Sequence, residues 1–373
     1  MTLQAPSGAP RVLQVVLSLN PGGTERLVLE LVTRLGSSLP MAVCCLDEAG
    51  DWGRRLEDQG IAVHALRRAP GFQPQLGRAI ADVAARHGTT VIHAHHYSSF
   101  VYSCLARRRT PDVRLVYTEH GRVTDAPPSP KRRLVNRLYF ARVPARVFAV
   151  SDDLRRHMVQ EGFSARRVGV IYNGIAVGDA PSADTRRRQR AALGVSDAVA
   201  VVGTIARLDP VKDLGTMLRA VADARRTRPI VALIVGDGAE RVALEALAAQ
   251  LDLTAHVRFL GHRDDARDWL AACDVFVNSS LSEGVSLTIL EAMAAGLPVA
   301  ATSVGGTPEV VTPECGRLVP ARSPAELARA ILDAVGSPDA AQRMGGAARA
   351  RVCAHFTIER MVQQYRDVYE GVA

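Results

Sequence analysis

Short apolar runs rich in β-branched residues alternate with amphipathic stretches through almost the whole chain. RVLQVVLSL (11–19) predicts a buried strand. In the following PGGTERLVLELVTRLG, Leu27, Val28, Leu31, Val32 and Leu35 recur at helical spacing until Gly36. MAVCCL (41–46), IAVHAL (61–66), VIHAH (91–95), RLVYTEH (114–120) and RVFAVS (146–151) predict further strands with helical segments between them. Such alternation means an α/β fold, a parallel sheet joined by crossover helices.

The alternation thins over 174–198, where the chain is polar, small-residue-rich and densely charged. It resumes with VAVVGTIA (199–206), IVALIVGDG (230–238), HVRFLG (256–261), DVFVNSS (274–280) and LPVAATSV (297–304). The expected organisation is a Rossmann-like domain over 1–173, a connection over 174–198 and a second Rossmann-like domain over 199–355. A last helix, near 357–371, ends the chain, and the two domains are expected to face each other across a cleft. In SPAELARAILDAV, Ser323, Pro324 and Glu326 predict a capped helix start with a capping box.

At 373 residues the chain exceeds one ordinary core, which supports two domains. The six cysteines show no CxxC spacing, which predicts reduced thiols and a cytoplasmic protein. MTLQAPSGAPR lacks the pattern of a secretory leader, and no apolar run is long enough for a membrane span. The net charge of +8 is uneven: residues 1–173 hold 24 Arg or Lys against 14 Asp or Glu, and 174–373 hold 22 against 24. The basic half suits an anionic partner such as a phosphorylated substrate, a membrane surface or nucleic acid, and a solvated basic surface explains it equally. Aromatic residues make up only 5% and no nucleic-acid-binding module is recognisable, which argues against nucleic acid.

The candidate chemistry gathers in DVFVNSS-LSEGVS-LTILEAMAA-G-LPVAAT, a strand, loop, helix and strand. Its loop falls at a strand's carboxyl end, where open α/β sheets bind ligands. Ser286 is the expected N-cap, and the N–H groups of Gly284, Val285, Ser286 and Leu287 would receive an anion at the helix N-terminus. Glu283 and Glu291 would be repelled by that anion, so they should accept hydrogen bonds from neutral hydroxyls beside it. A sugar nucleotide offers both groups. A solvated loop carboxylate and an ordinary helix residue remain the plain alternatives for the two glutamates.

RLDPVKD (207–213), after the first strand of this domain, brings Arg207 and Lys212 to the same sheet edge, where they could neutralise a diphosphate. Only two of the 46 basic residues are lysine, Lys131 and Lys212. In the first half, Gly22 and Gly23 permit close approach to a ligand at a helix N-terminus, although a tight turn also explains them. YTEHG (117–121) puts His120 at a strand end facing the expected cleft. HAHH (93–96) raises a zinc site, but no third ligand stands at metal spacing, and the chain has no Asp-x-Asp triplet. SPKRRLVNRLYFARVPAR (129–146) interleaves basic residues with Leu134, Val135, Leu138, Tyr139 and Phe140. It can rest on an anionic leaflet and collect a lipid-linked acceptor, while a crossover helix with a solvated basic face is the simpler reading.

These motifs resemble the retaining GT-B glycosyltransferases of family four, the glycosyl transferases group 1. The likeness spans GGTER, YTEHG, AVSD, IYNGI, VGTIARLDPVKD, LIVGDG, VRFLGHRDD and SEGVSLTILEAMAAGLPVAATSVGGTPEVV. The resemblance implies two parallel-sheet domains, the first binding acceptor and the second nucleotide sugar, with the final helix (356–373) crossing back to the first. Arg207 and Lys212 would hold the donor diphosphate, Glu291 the ribose diol and Glu283 the hydroxyls of the transferred sugar. The Gly284–Leu287 backbone would meet the sugar or phosphate, His120 would stand beside the donor sugar, and the Gly22–Gly23 loop would approach diphosphate or acceptor. The implied reaction is metal-independent, cofactor-free hexosyl transfer with retention, from a nucleotide-diphosphate sugar to a saccharide or lipid-linked acceptor in polysaccharide or glycoconjugate synthesis. Peripheral membrane contact at the inner face of the plasma membrane would run through residues 129–146, and no nucleic acid is involved. A sugar-nucleotide epimerase or phosphorylase on the same fold is the alternative. EGVS departs from the family's usual EGFG: Ser286 either narrows the sugar pocket or caps the helix.

Overall fold

The computed structural model describes residues 8–122 and 129–372. Residues 1–7, most of the segment read as lacking a leader, lie outside the described residues. The chain forms two compact units, one of Met1–Gly174 with Ile358–Ala373 and one of Ile175–Thr357.

The first unit holds seven strands: β1 (Val12–Val16), β2 (Met41–Cys45), β3 (Ala62–Ala65), β4 (Val91–His95), β5 (Arg114–Glu119), β6 (Ala145–Ala149) and β7 (Val168–Val170). All pair in parallel, in the order β3-β2-β1-β4-β5-β6-β7, so the order reverses between β1 and β4. At that switch point the strand ends diverge and leave a crevice for ligand. Leu13, Val15, Ile92, Leu115 and Tyr117 turn to one face and pack with Phe100, Phe140 and Phe163. Because side chains alternate along a strand, Gln14, His93, His95 and Thr118 turn to the other face, where all four are fully buried. The last helix, Ile358–Glu370, contributes Tyr365 and Tyr369 to this polar layer.

The helix Gly23–Leu35 forms as the apolar spacing predicts, burying Leu27, Val28, Leu31, Val32 and Leu35. Each such side chain contributes roughly 1.5–3 kcal/mol of burial. The helix Pro130–Leu138 does the opposite. Its one buried residue is Asn136, bonded to Tyr97 Oη at 2.7 Å and to the Glu161 carbonyl at 2.8 Å. Leu134, Val135 and Leu138 are 57, 46 and 50% exposed, so its apolar side is not a core face.

The second unit holds β8 (Ala200–Ile205), β9 (Ile230–Val235), β10 (Val257–Phe259), β11 (Val275–Asn278), β12 (Val299–Thr302) and β13 (Gly316–Val319), all parallel, in the order β10-β9-β8-β11-β12-β13. Its switch point lies between β8 and β11. The segment 174–198, expected as a connection, is instead part of this unit. It carries the helix Ala183–Leu193, whose Arg190 is 2% exposed and bonds the Ala272 carbonyl at 3.0 Å and Asp274 at 3.2 Å. Arg190, with Arg186 bonded to the Cys273 carbonyl at 2.9 Å, anchors the helix, while Arg187 and Arg188 stay exposed. The expected capping box also does not form: the Ser323 hydroxyl donates to the Ala321 carbonyl at 3.3 Å rather than capping the helix Pro324–Gly336.

Candidate active site

In the second unit, the loop after β8 and the loop after β11 meet at the switch point. Pro210–Lys212 make one 3₁₀ turn, and Asp213 takes a left-handed conformation (φ 42°) that starts the helix Leu214–Ala224. Ser279 Oγ donates to the Lys212 carbonyl at 2.9 Å and Leu281 N–H to the Val211 carbonyl at 2.8 Å, which ties the two loops together. The glycines of VGDG brace them from behind. Gly236 (φ 135°) lies so close to the Ala206 carbonyl that a Cβ would come within 1.9 Å of it.

Lys212 Nζ then stands 2.7 Å from Glu283 Oε1, which also accepts from Ser280 Oγ at 2.6 Å and Asn278 Nδ2 at 3.2 Å. Burial pushes the Glu283 carboxyl up, but Lys212, Ser280 and Asn278 outweigh it and hold it below the usual carboxylate range. Glu283 is thus an ionised, buried carboxylate, not a solvated loop residue. It sits four residues before the helix Leu287–Ala294. Ser286 occupies the N-cap position without a capping bond, its hydroxyl lying 3.2 Å from Thr288 Oγ1. Ser286 therefore does not cap the helix with its side chain. The SVGGTPE loop closes over the same place: Gly306 N–H reaches the Glu283 carbonyl at 3.3 Å, and a Cβ on Gly305 (φ 53°) would fall 1.8 Å from that oxygen.

Glu291 is buried and accepts from Arg267 Nε and Nη2 at 2.7 and 2.6 Å, so a guanidinium holds the carboxylate assigned to ribose. Both residues line a cavity of about 440 Å³ with Ser182, Thr185 and Asp268. Arg207 is 67% exposed and pairs with Asp209. The structure therefore brings Lys212, Glu283 and the Gly284–Leu287 amides together, and does not seat Arg207 in that cluster.

In the first unit, the switch point gathers the loop after β1, His96 after β4 and His120 after β5. His96 has φ 68°, an uncommon value for a residue with a side chain. Its ring lies 3.0 Å from Glu119 Oε1 and 3.0 Å from Thr24 Oγ1. Burial pulls the His96 imidazole down, but Glu119 outweighs it and raises it above its ordinary value. Glu119 is pushed up by burial and pulled further down by His96, Tyr117 and the His120 amide, so it stays ionised. Burial, then His95 and His96, hold His120 well below the ordinary imidazole value, leaving it neutral. Gly23 has open space where a Cβ would stand, whereas the Glu25 carboxylate folds back over Gly22. A diphosphate approaching Gly22 would meet that anion.

His95, His96, Glu119 and Arg267 were not among the residues singled out by sequence for the site. From sequence, HAHH suggests only a zinc site. His93 and His95 do share a face, with ring centroids 4.0 Å apart, but their nitrogens face Tyr369, Thr118, His120 and Gln14. Among the described residues no group of three His, Cys, Asp or Glu is arranged to hold a metal ion.

Two parallel-sheet units, each with loops gathered at its switch point, define a GT-B protein. The chain belongs to the glycosyltransferases of that fold: residues 176–337 match the family described as glycosyl transferases group 1, and residues 21–178 match glycosyltransferase family 4. The D-inositol 3-phosphate glycosyltransferase of Streptomyces coelicolor is 31% identical over 75% of this chain and 68% of its own length. That of Streptomyces scabiei is 32% identical over 70% of this chain, which spans 63% of that relative's length. The crystal structure of Anabaena Alr3699/HepE in complex with UDP superposes with a TM-score of 0.84 and 26% identity, covering 97% of this chain and 100% of that one. HepE has also been solved with UDP-glucose.

Proposed function

We propose that this protein transfers a sugar from a nucleotide-diphosphate sugar to an acceptor hydroxyl with retention of anomeric configuration, in the synthesis of a polysaccharide or glycoconjugate. The observation that carries this reading is the Lys212–Glu283 pair beside the N-terminus of the helix Leu287–Ala294. The UDP and UDP-glucose complexes of HepE support a uridine nucleotide as the donor's base.

Breaking the anomeric C–O bond builds negative charge on the departing diphosphate and positive charge on the sugar ring. The Lys212 ammonium, oriented by Glu283, and the helix N-terminal amides would stabilise the diphosphate. Arg207 would swing from Asp209 to join them. Glu283 would accept sugar hydroxyls, Glu291, held by Arg267, would meet the ribose diol, and His120 would meet a substrate hydroxyl. The diphosphate oxygen would assist deprotonation of the acceptor on the same face of the sugar. No residue in this account requires a metal.

The acceptor is a saccharide or lipid-linked alcohol. Among the described residues no helix is long and apolar enough to cross a membrane. The exposed Leu134, Val135 and Leu138, beside Lys131, Arg133 and Arg137, support peripheral contact with an anionic leaflet. The test is incubation of purified protein with UDP-glucose and a panel of acceptors, with UDP release measured and the product linkage read by proton NMR. An α-linked product from the α-linked donor is expected; a β-linked product would rule out retention.

A further inference from the structure

A hydrogen-bonded chain joins His120 to the last helix. His120 Nε2 lies 2.8 Å from His95 Nδ1, and His95 Nε2 lies 2.8 Å from Gln14 Oε1. Gln14 Nε2 donates to Tyr369 Oη at 3.0 Å, and Tyr369 Oη lies 2.7 Å from His93 Nδ1. His93 Nε2 lies 2.9 Å from Thr118 Oγ1, itself 3.1 Å from Tyr365 Oη. Gln14, His93, His95, Thr118 and Tyr369 are fully buried, and Tyr365 nearly so. One ring nitrogen at the end of the chain, His120 Nδ1, is buried with no partner.

We propose that His95, Gln14 and Tyr369 are positioning residues that fix the tautomer of His120, so that it offers substrate an unprotonated Nδ1 as a hydrogen-bond acceptor. The assignment of His120 to the substrate site rests on the function proposed above; the tautomer does not.

Every link in such a chain has a direction, because a neutral imidazole donates through one nitrogen and accepts through the other. With the Gln14 amide nitrogen on Tyr369, its oxygen must accept from His95 Nε2–H. Neutral His95 then has only a lone pair at Nδ1, so His120 donates from Nε2 and keeps Nδ1 bare. On the other side, Tyr369 donates to His93 Nδ1, and His93 Nε2–H donates to Thr118. Reversing the Gln14 amide would reverse every bond and leave a buried, unpartnered N–H on His120. An orphaned donor is the rarer arrangement in folded proteins. Burial keeps His93, His95 and His120 all neutral, as a one-way relay requires. A bare nitrogen accepts from a hydroxyl and repels a phosphate oxygen, so the ligand group at this position is a sugar or acceptor alcohol.

The test uses protein labelled with ¹⁵N in histidine and two-bond ¹H–¹⁵N correlation spectra, with the His120 signals assigned from His120→Asn. The wild type should show His120 protonated at Nε2 and pyridine-like at Nδ1. Gln14→Met removes the acceptor for His95; either arrangement of the two rings then orphans one N–H, so His120 should lose its single tautomer. Should that variant fold poorly, Tyr369→Phe keeps the ring packing and should cost His120 its single tautomer. UDP-glucose, and not UDP, should shift the Nδ1 resonance in wild type and shift it less in Gln14→Met. A protonated Nδ1 in the wild type, or a tautomer indifferent to Gln14, overturns the relay whatever the ligand does. The expected tautomer with equal responses to UDP and UDP-glucose overturns the use proposed for Nδ1. Failure to bind either nucleotide, with the tautomer as stated, instead overturns the donor reading and that use with it.

Discussion

Lys212 and Glu283, 71 positions apart in sequence, form a 2.7 Å ion pair at the point where the second sheet's strand order reverses. The pair is mostly out of water, with side chains 23 and 10% exposed, so neither charge is cheap to strand. Lys212→Met should therefore cost about 3 kcal/mol of stability, since it leaves a buried carboxylate unpaired. Lys212→Met/Glu283→Gln should recover most of that stability without recovering transfer. Urea denaturation of the single and double variants, beside UDP release, separates the two roles. Equal stability of the single and double variants would show that the pair is not coupled.

Acid should weaken the fold in two stages. His93, His95 and His120 each lie well below their ordinary value of 6.5, burial being the first cause. Their contribution is complete above about pH 6.5 and falls as the pH drops, because the unfolded chain takes up protons that the folded chain refuses. Each supplies a slope of about 1.4 kcal/mol per pH unit in that window. The Glu283 contribution is present above its ordinary value of 4.5 and is lost as the pH falls through its depressed folded value. His96, raised by Glu119, runs the other way and loses its contribution as the pH climbs through its folded value. Denaturation curves at half-unit steps from pH 8 to 4 should show the onset near 6.5. A flat profile down to pH 5 would contradict the neutral buried histidines.

Gly305→Ala should damage the site from behind. The new Cβ would collide with the Glu283 carbonyl at a backbone φ of 53°, so the loop must move. The strained conformation alone costs about 2 kcal/mol. Donor turnover should fall at least tenfold, whereas Gly23→Ala, with no atom within 4 Å of its Cβ, should leave stability unchanged. Thermal unfolding of the two variants side by side checks the contrast.

The helix Pro130–Leu138 should carry the protein to anionic membranes. Vesicles containing phosphatidylglycerol should float the protein at low salt and release it at high salt, since each basic residue near the surface supplies roughly 1 kcal/mol. Leu134→Ser/Leu138→Ser should cut the bound fraction at least tenfold. Absence of flotation with anionic vesicles would restrict the acceptor to soluble saccharides.

The strand–helix alternation was legible because each buried parallel strand is a nearly continuous apolar run. β7 and β13 escaped the pattern: three residues, VGV, carry no periodicity, and Arg317 interrupts GRLV. The segment 174–198 misled because buried Arg190 looks like a surface arginine until Asp274 and the backbone carbonyls are placed beside it. At the site, Lys212 and Glu283 could be named from local context, but their ion pair depends on which strands adjoin. Gln14 was hidden inside RVLQVVLSL, where a lone polar residue reads as noise. Its position on the same strand face as Val12 and Val16, and the two-residue spacing of His93 and His95, were the available signals of a buried polar layer. Tyr365 and Tyr369, four apart on the last helix, carried the matching half, and only the fold joins the two.

Calorimetric titration of UDP into the wild type and Lys212→Ala addresses the donor site most directly. Saturable one-to-one binding by the wild type, weakened at least tenfold in the variant (about 1.4 kcal/mol), is the expected result. Equal affinity in both proteins would remove the diphosphate from the Lys212–Glu283 pair and contradict the account.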